Sequence, residues 1–328
     1  MKIGYRILLL TIFLLTWIHH IYSQQNYVLG EFTISKIIDG DTFKFEELDK
    51  PARLVCIDAE EMFKGPDAEQ KSKELEKNWT KKYNAEKLIE EKPAKTPSPF
   101  GYKTWQWTKQ IFRYVKKVRL ETDDTARTLD VYGRYLVYVI AIRNDGTEFN
   151  YNLECVRQGY SAYFTKYGVS SRFDTKFNIA MQEAMNNKLG IWSEMEYCYP
   201  DYDERISWWN ERAASIQRFI QNHSKDNNYF SFANGTNYEK LKDRLNDSVT
   251  VFGCSEEILT DHEPYIVKIK YNSEIGIDIV FFPEYKNLLK ETGLGDEKNY
   301  YYYIKGVLKT YNGKYEIIIN DKSQVWQE

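Results

Sequence analysis

Histidine is nearly missing from this 328-residue chain: His19, His20, His223 and His262 are the four present, and none lies between Asn26 and Glu194. A histidine base is therefore excluded from that half, and any general base there is a carboxylate or a metal-bound water. Cysteine is sparse as well. Cys56, Cys155, Cys198 and Cys254 form no Cys-x-x-Cys pair, so a cysteine zinc site has no support. Cys56 falls in an apolar strand pattern and Cys155 in a helical one, both as small buried residues. Cys198 and Cys254 could pair in an oxidising compartment, but spacing alone leaves that open.

Long apolar runs are lacking, with one exception. Residues 7–18 are apolar and follow Lys2 and Arg6, a run shorter than the roughly 20 residues of a typical membrane-spanning helix. Residues 1–23 read as a secretory signal, with Ser23 before the cleavage point; an uncleaved N-terminal anchor is the other reading. The expectation is a secreted or extracytoplasmic protein, or one at the cell envelope, without stable membrane insertion after cleavage. No cysteine stands directly after the apolar run, which argues against a lipoprotein. Cleavage moves the formal charge from -3 to -5, since Lys2 and Arg6 leave and no acid does. A nucleic-acid enzyme needs only a local basic face, so this balance excludes nothing. The 27 tyrosines are abundant, but tyrosine suits strands and base stacking alike.

What is present concentrates in three stretches. Asp39-Gly40-Asp41-Thr42 is a turn opening a strand. Arg53-Leu54-Val55-Cys56-Ile57-Asp58 is an apolar strand with an arginine at one end and acids at the other. A hairpin between them brings Asp41 to Asp58, with Asp39 nearby, as an oxygen-rich pocket suited to a hard cation. Arg53 adds a planar fork that matches phosphate oxygens. Asp130-Val131-Tyr132-Gly133-Arg134 then places a second arginine at the head of another strand. Metal, arginine and carboxylate together are the equipment of phosphodiester hydrolysis.

These pieces, with Val156-Arg157-Gln158-Gly159 and Leu189-Gly190-Ile191-Trp192, come in the order found in staphylococcal-type thermonucleases, which residues 26–194 resemble. The resemblance implies a single Ca2+ held by Asp41, Asp58 and the carbonyl of Ala59. It implies Glu61 as the residue that orients or deprotonates the attacking water; Glu60 is the neighbouring alternative, and register against Asp58 favours Glu61. Arg53 and Arg134 would clamp the phosphate, with Tyr132 and Tyr167 beside the bound nucleotide. The family carries a second tyrosine where Thr165 stands, and Tyr163 is expected to take its place. Glu60 replaces a connecting proline of the family, which predicts a more flexible loop.

The expected architecture is an α+β β-barrel with appended helices: an oligonucleotide-binding-type five-stranded nuclease barrel plus a second small, β-rich domain of similar type. The expected divisions are a catalytic domain over 26–196, a largely solvated charged insertion over 62–100, a helical linker over 197–246 and the β-rich domain over 247–328. Residues 102–118 read as a helix. From Lys95 to Arg119 there are seven basic residues and no acid, either a phosphate-attracting face or an ordinary solvated one. Ile206, Trp209, Ala213, Ile216 and Phe219 recur at helical spacing, residues 222–237 look linker-like, and Asn312-Gly313 marks a hairpin.

Two functional readings follow. One is a secreted, calcium-dependent endonuclease acting on DNA and RNA with little sequence preference. The alternative is a catalytically inactive, nuclease-like protein that binds nucleic acid or acts at a surface.

Overall fold

The computed structural model describes residues 27–328 except 91–92, 116, 126, 144, 194–196 and 297–298. The signal reading of residues 1–23 lies outside the described residues.

The first half closes a five-stranded barrel. β1 (Val28–Ile37), β2 (Thr42–Phe45) and β3 (Ala52–Leu54) form the expected meander; β4 (Lys117–Glu121) and β5 (Tyr135–Ile142) follow, and β6 (Glu148–Asn150) is appended to β5. Ile37 pairs with Phe43, Thr42 with Arg53, Phe32 with Val118 and Leu120 with Val139, all antiparallel. Parallel pairing of β3 with β5, Arg53 against Leu136, closes the ring. Strand alternation explains what points where. Phe43 and Phe45 are buried while Lys44 is exposed, and Ala52 and Leu54 fill the core. Arg53, between those two, is therefore turned to the other face. The third strand stops earlier than the apolar run suggests, because Cys56 takes a left-handed φ of 64° and bends the chain out of the ladder. Ile57 then bridges Tyr163, and Asp58 stands beyond the bend.

The inserted segment is largely exposed, as its charge pattern suggests, but it is anchored by a few buried aromatics. It folds into α1 (Ala68–Glu76) and α2 (Trp79–Glu90). Trp79 and Tyr83 are fully buried and pack with Tyr199, Tyr202 and Trp209. Trp79 Nε1 donates to the Cys198 carbonyl at 2.8 Å, and Tyr83 Oη to Asp201 at 2.7 Å. The charge pattern described only the outer faces; a few aromatics supply a core of their own. Trp79→Ala should cost about 3–5 kcal/mol, a fully buried large-to-small change, measured by denaturant unfolding.

The helix expected over 102–118 starts earlier, as α3 (Pro99–Ile111). Ser98 caps it, accepting from the Gly101 N–H at 2.9 Å, and Pro99 takes the first turn, where its missing N–H costs nothing. α4 (Tyr151–Arg157) and α5 (Asp174–Asn186) complete the barrel's cover.

The long α6 (Tyr202–His223) carries the expected helical stripe and is a shared wall, where a helical linker was expected. Trp209 meets Phe164 of the first half edge-on at 4.8 Å, and Phe219 stacks on Phe252 of the second half at 4.7 Å. The β-rich unit also begins sooner than residue 247. β7 (Tyr229–Ser231), inside the linker-like stretch, pairs in parallel with β8 (Ser248–Gly253) and buries Phe230. Short polar runs around Phe230 and Phe232 disguised this strand. β9 (Glu257–Leu259), β10 (Tyr265–Lys270), β11 (Gly276–Phe281), α7 (Leu288–Thr292), β12 (Tyr302–Val307), β13 (Lys309–Tyr311), β14 (Lys314–Ile318) and β15 (Val325–Trp326) follow. They form sheets ordered β13-β14-β11-β10-β9 and β15-β12-β8-β7 around Val251, Ile269, Ile279 and Ile304, consistent with a second oligonucleotide-binding-type domain. The hairpin at Asn312-Gly313 is present; both residues have positive φ, as a two-residue turn of matching twist requires. No disulfide joins Cys198 to Cys254, whose thiol lies instead against Arg212 and Glu256.

Candidate active site

Asp41, Arg53, Asp58 and Ala59 are brought together by direct bonds. Gly40 lets this happen: a side chain there would meet Thr104 Cγ2 at 2.6 Å and Ala59 Cβ at 2.7 Å, so the turn packs tightly under α3. Asp41, only 4% exposed, accepts from the Ala59 N–H at 2.8 Å and from Thr42 Oγ1 at 2.9 Å. Arg53 Nη1 pairs with Asp41 Oδ1, and Arg53 Nη2 with Asp58 Oδ1 at 2.6 Å. The Asp58 N–H donates to Ser161 Oγ at 2.9 Å. One guanidinium thus bridges two buried carboxylates, which converge on a single cation.

A second cation was not foreseen. Lys95 Nζ, from the inserted segment, lies 2.7 Å from Asp58 Oδ1. It reaches Asp58, and this separates the two acids. Burial pushes Asp41 well above the ordinary carboxylate range, and Arg53 only partly offsets it. Burial also works against Asp58, but Lys95 and Arg53 together overcome it and hold that carboxyl below the usual range. Lys166, on the loop after α4, is pushed down to about 7 by burial and by repulsion from Arg212 and Lys95. The positive charge that holds Asp58 ionised comes from Lys95, from Arg53 and, more weakly, from Arg205 of α6. Of the basic run from Lys95 to Arg119, the two ends diverge: Arg119 is held by Glu148 and Glu121. Lys116 lies outside the described residues.

The neighbouring glutamates have different tasks. Glu60 is 1% exposed; it accepts from the Tyr199 N–H at 2.6 Å, from Tyr202 Oη at 3.1 Å and from Ser98 Oγ. Burial nonetheless pushes it up to about 7. The connection is therefore pinned, contrary to the flexible loop expected when Glu60 replaced proline: a carboxylate with three donors anchors the chain as firmly as a restricted φ. Glu61 is half-buried. Its N–H donates to Tyr199 Oη at 3.3 Å and its carbonyl accepts from the Ser98 N–H at 2.9 Å, so both sides of its backbone are held. Gly101 makes this fit, since a Cβ there would fall 2.0 Å from the Glu61 carbonyl oxygen. The Glu61 carboxylate is not bonded directly to Asp41, Arg53 or Asp58.

Arg134 approaches from the turn just before β5. Parallel register pairs Arg53 with Leu136, so Arg134, two residues before, faces the same side of the sheet. Asp130 fixes it, accepting from Arg134 Nε at 2.7 Å and, through its other oxygen, from the Arg134 and Tyr132 N–H groups at 2.9 Å each. Gly133 supplies the positive φ of 75° that this turn needs. A cleft of about 360 Å³ takes in Arg53, Arg134, Tyr132 and Tyr167. Tyr163 is not the substitute expected for Thr165. It is buried, stacks on Phe177 at 4.9 Å and donates to Asp174 at 2.9 Å; Thr165 is buried too and bonded to Asn210 at 2.8 Å. Strand parity on the Ile57–Tyr163 bridge commits Tyr163 to the core.

Sequence reading named Lys95 only as the start of a basic run and missed its contact with Asp58, the contact of Ser161 and the anchoring role of Glu60. Nothing local marks Lys95 or Ser161, because their partner Asp58 lies 37 and 103 positions away in sequence. Among the described residues, no group of three or more His, Cys, Asp or Glu side chains clusters as a metal site.

Residues 52–194 match the family described as staphylococcal nuclease homologue. No curated protein matches the chain. The match starts at the head of β3 and contains every candidate site residue except Asp41, which the turn before β2 delivers.

Proposed function

From a chain whose residues 52–194 form a domain of the staphylococcal nuclease family, we propose a calcium-dependent endonuclease that hydrolyses phosphodiester bonds of DNA and RNA. The observation that carries this reading is the single cleft holding Arg53 and Arg134, with Arg53 tied to two buried aspartates. Export rests on the residue 1–23 pattern alone.

The donor set suits calcium. Two buried carboxylates that converge on one cation, beside the Ala59 main chain, offer hard oxygens. Asp41, Asp58 and the Ala59 carbonyl would hold the ion, which supplies positive charge against the phosphate when bound. Arg53 and Arg134 do the rest of the electrostatic work. The substrate diester carries one negative charge and the pentacoordinate transition state two, so both arginines bind the transition state more tightly. Glu61 takes the proton from the attacking water, with its backbone held on both sides.

Lys95 competes for the same oxygen of Asp58. Lys95→Ala should tighten calcium binding about tenfold, roughly 1.4 kcal/mol, read by titration calorimetry. An unchanged affinity would remove Lys95 from the site's charge balance. The same contact is the one observation favouring the second reading, nucleic-acid binding without cleavage, because an ammonium already sits where the cation is needed.

The deciding experiment is cleavage of single-stranded DNA, duplex DNA and RNA by the mature protein, with calcium and with chelator. Cleavage of all three only with calcium supports the nuclease. Binding without cleavage by folded protein moves the assignment to the second reading.

A further inference from the structure

The cleft does not end with the nuclease domain. Ile216, Gln217 and Ile220 from α6, with Ala233 and Asn234 from the β-rich unit, line it together with Arg53 and Arg134. None of these five lies in the matched segment. This wall is fixed to the barrel rather than merely adjacent. Arg127 Nη1, on the barrel side, donates to the Ala233 carbonyl at 2.7 Å, and Arg212 Nε of α6 donates to the Lys166 carbonyl at 3.1 Å. Gly168, next to Tyr167, faces α6 at ordinary contact distance: a Cβ there would lie 3.8 Å from Ile216 Cδ1.

Three features of this enclosure point to a ligand with a flat apolar body and polar edges. Ile216 and Ile220 offer an aliphatic surface and Tyr167 an exposed aromatic face. The amides of Gln217 and Asn234 supply donors and acceptors. Arg127 lines the same cleft and brings a positive charge to it. The two arginines at the phosphate position set which body that is.

We propose that Ile216, Gln217, Ile220 and Asn234 complete the cleft as a pocket for one unpaired nucleobase, next to the phosphate held by Arg53 and Arg134. The pocket rests on the nuclease reading for its phosphate end, and extends it by giving the C-terminal half a say in the substrate. At about 360 Å³ the cleft is near the lower end of small-molecule sites, room for one nucleotide. A base inside a duplex enters only by leaving its stack and its partner, whereas a single-stranded one is already available. The enzyme should therefore favour unpaired nucleotides.

The test is calorimetry on the full chain with calcium, using a nucleoside 5′-monophosphate, ribose 5-phosphate and inorganic phosphate as probes. None contains a diester, so binding is read without turnover. Wild type should bind the nucleotide at least tenfold more tightly than ribose 5-phosphate. Gln217→Ala and Ile220→Glu should shrink that ratio severalfold and leave ribose 5-phosphate affinity in place. Gln217→Ala trims one half-buried polar side chain and keeps the test valid if Ile220→Glu does not fold. An unchanged ratio in folded Gln217→Ala and Ile220→Glu, or no ratio in wild type, overturns the pocket. Phosphate binding abolished by Arg134→Ala with no base preference overturns the pocket and leaves the nuclease standing. Base preference without cleavage of any polynucleotide does the reverse.

Discussion

Arg53→Ala should lose roughly 10³-fold or more in the proposed cleavage, and it should lose stability as well. The first effect is the loss of a fixed charge whose attraction to the phosphate grows as the transition state gains negative charge. The second is structural. Arg53 is the shared partner of Asp41 and Asp58, both buried, and its removal leaves them facing each other with Lys95 on one side only. Breaking a buried pair by removing one member costs about 3–5 kcal/mol, because an uncompensated charge remains. Calcium should restore much of that loss, since it binds the carboxylates only in the folded state. Arg134→Ala is the contrast. That side chain is half-exposed, and its partner Asp130 keeps two backbone donors. Arg134→Ala should therefore lose a similar rate while melting within a few degrees of wild type. Chelator and calcium melts of both variants, beside single-turnover rates, check this. Equal stability in the two variants would mean that the Arg53 bridge does not hold the site together.

Glu61→Gln should lower the rate by roughly 10²–10⁴-fold, the range for loss of a positioned general base, with little change in unfolding. Glutamine keeps the shape and both backbone bonds of residue 61 and removes only the basicity. Glu60→Ala provides the opposite signature. It strips three hydrogen bonds from the segment joining Tyr199 and Tyr202 to the site, so its main effect is on stability, with any loss of rate following from a displaced Glu61. Rates and unfolding free energies measured on both proteins separate the two roles. A Glu61→Gln protein cleaving at the wild-type rate would end its assignment as the base.

Much of the site was legible in the sequence because its parts are local. Asp41 follows a turn signal, Asp58 ends an apolar run, and Arg134 follows a glycine at the head of a strand. Each of these is fixed by turn chemistry or strand alternation acting over a few residues, and the structure brings Arg53, Asp41 and Asp58 together through the barrel those patterns imply. The order of the pieces identified the family of residues 52–194.

Tertiary structure alone decided the rest. Glu60 is an anchor and Glu61 is not, since the donors to Glu60 come from Ser98, Tyr199 and Tyr202. Lys95 reaches Asp58 from an insertion whose charge pattern spoke only of solvent. Tyr163 went to the core, and a stretch read as a linker became one wall of the cleft. The physical reason is common to all four. Periodicity and turn residues specify what a segment does to itself, but a buried carboxylate, an aromatic face or a cleft is completed by whatever the closed fold sets against it, and that partner carries no mark in the neighbouring sequence.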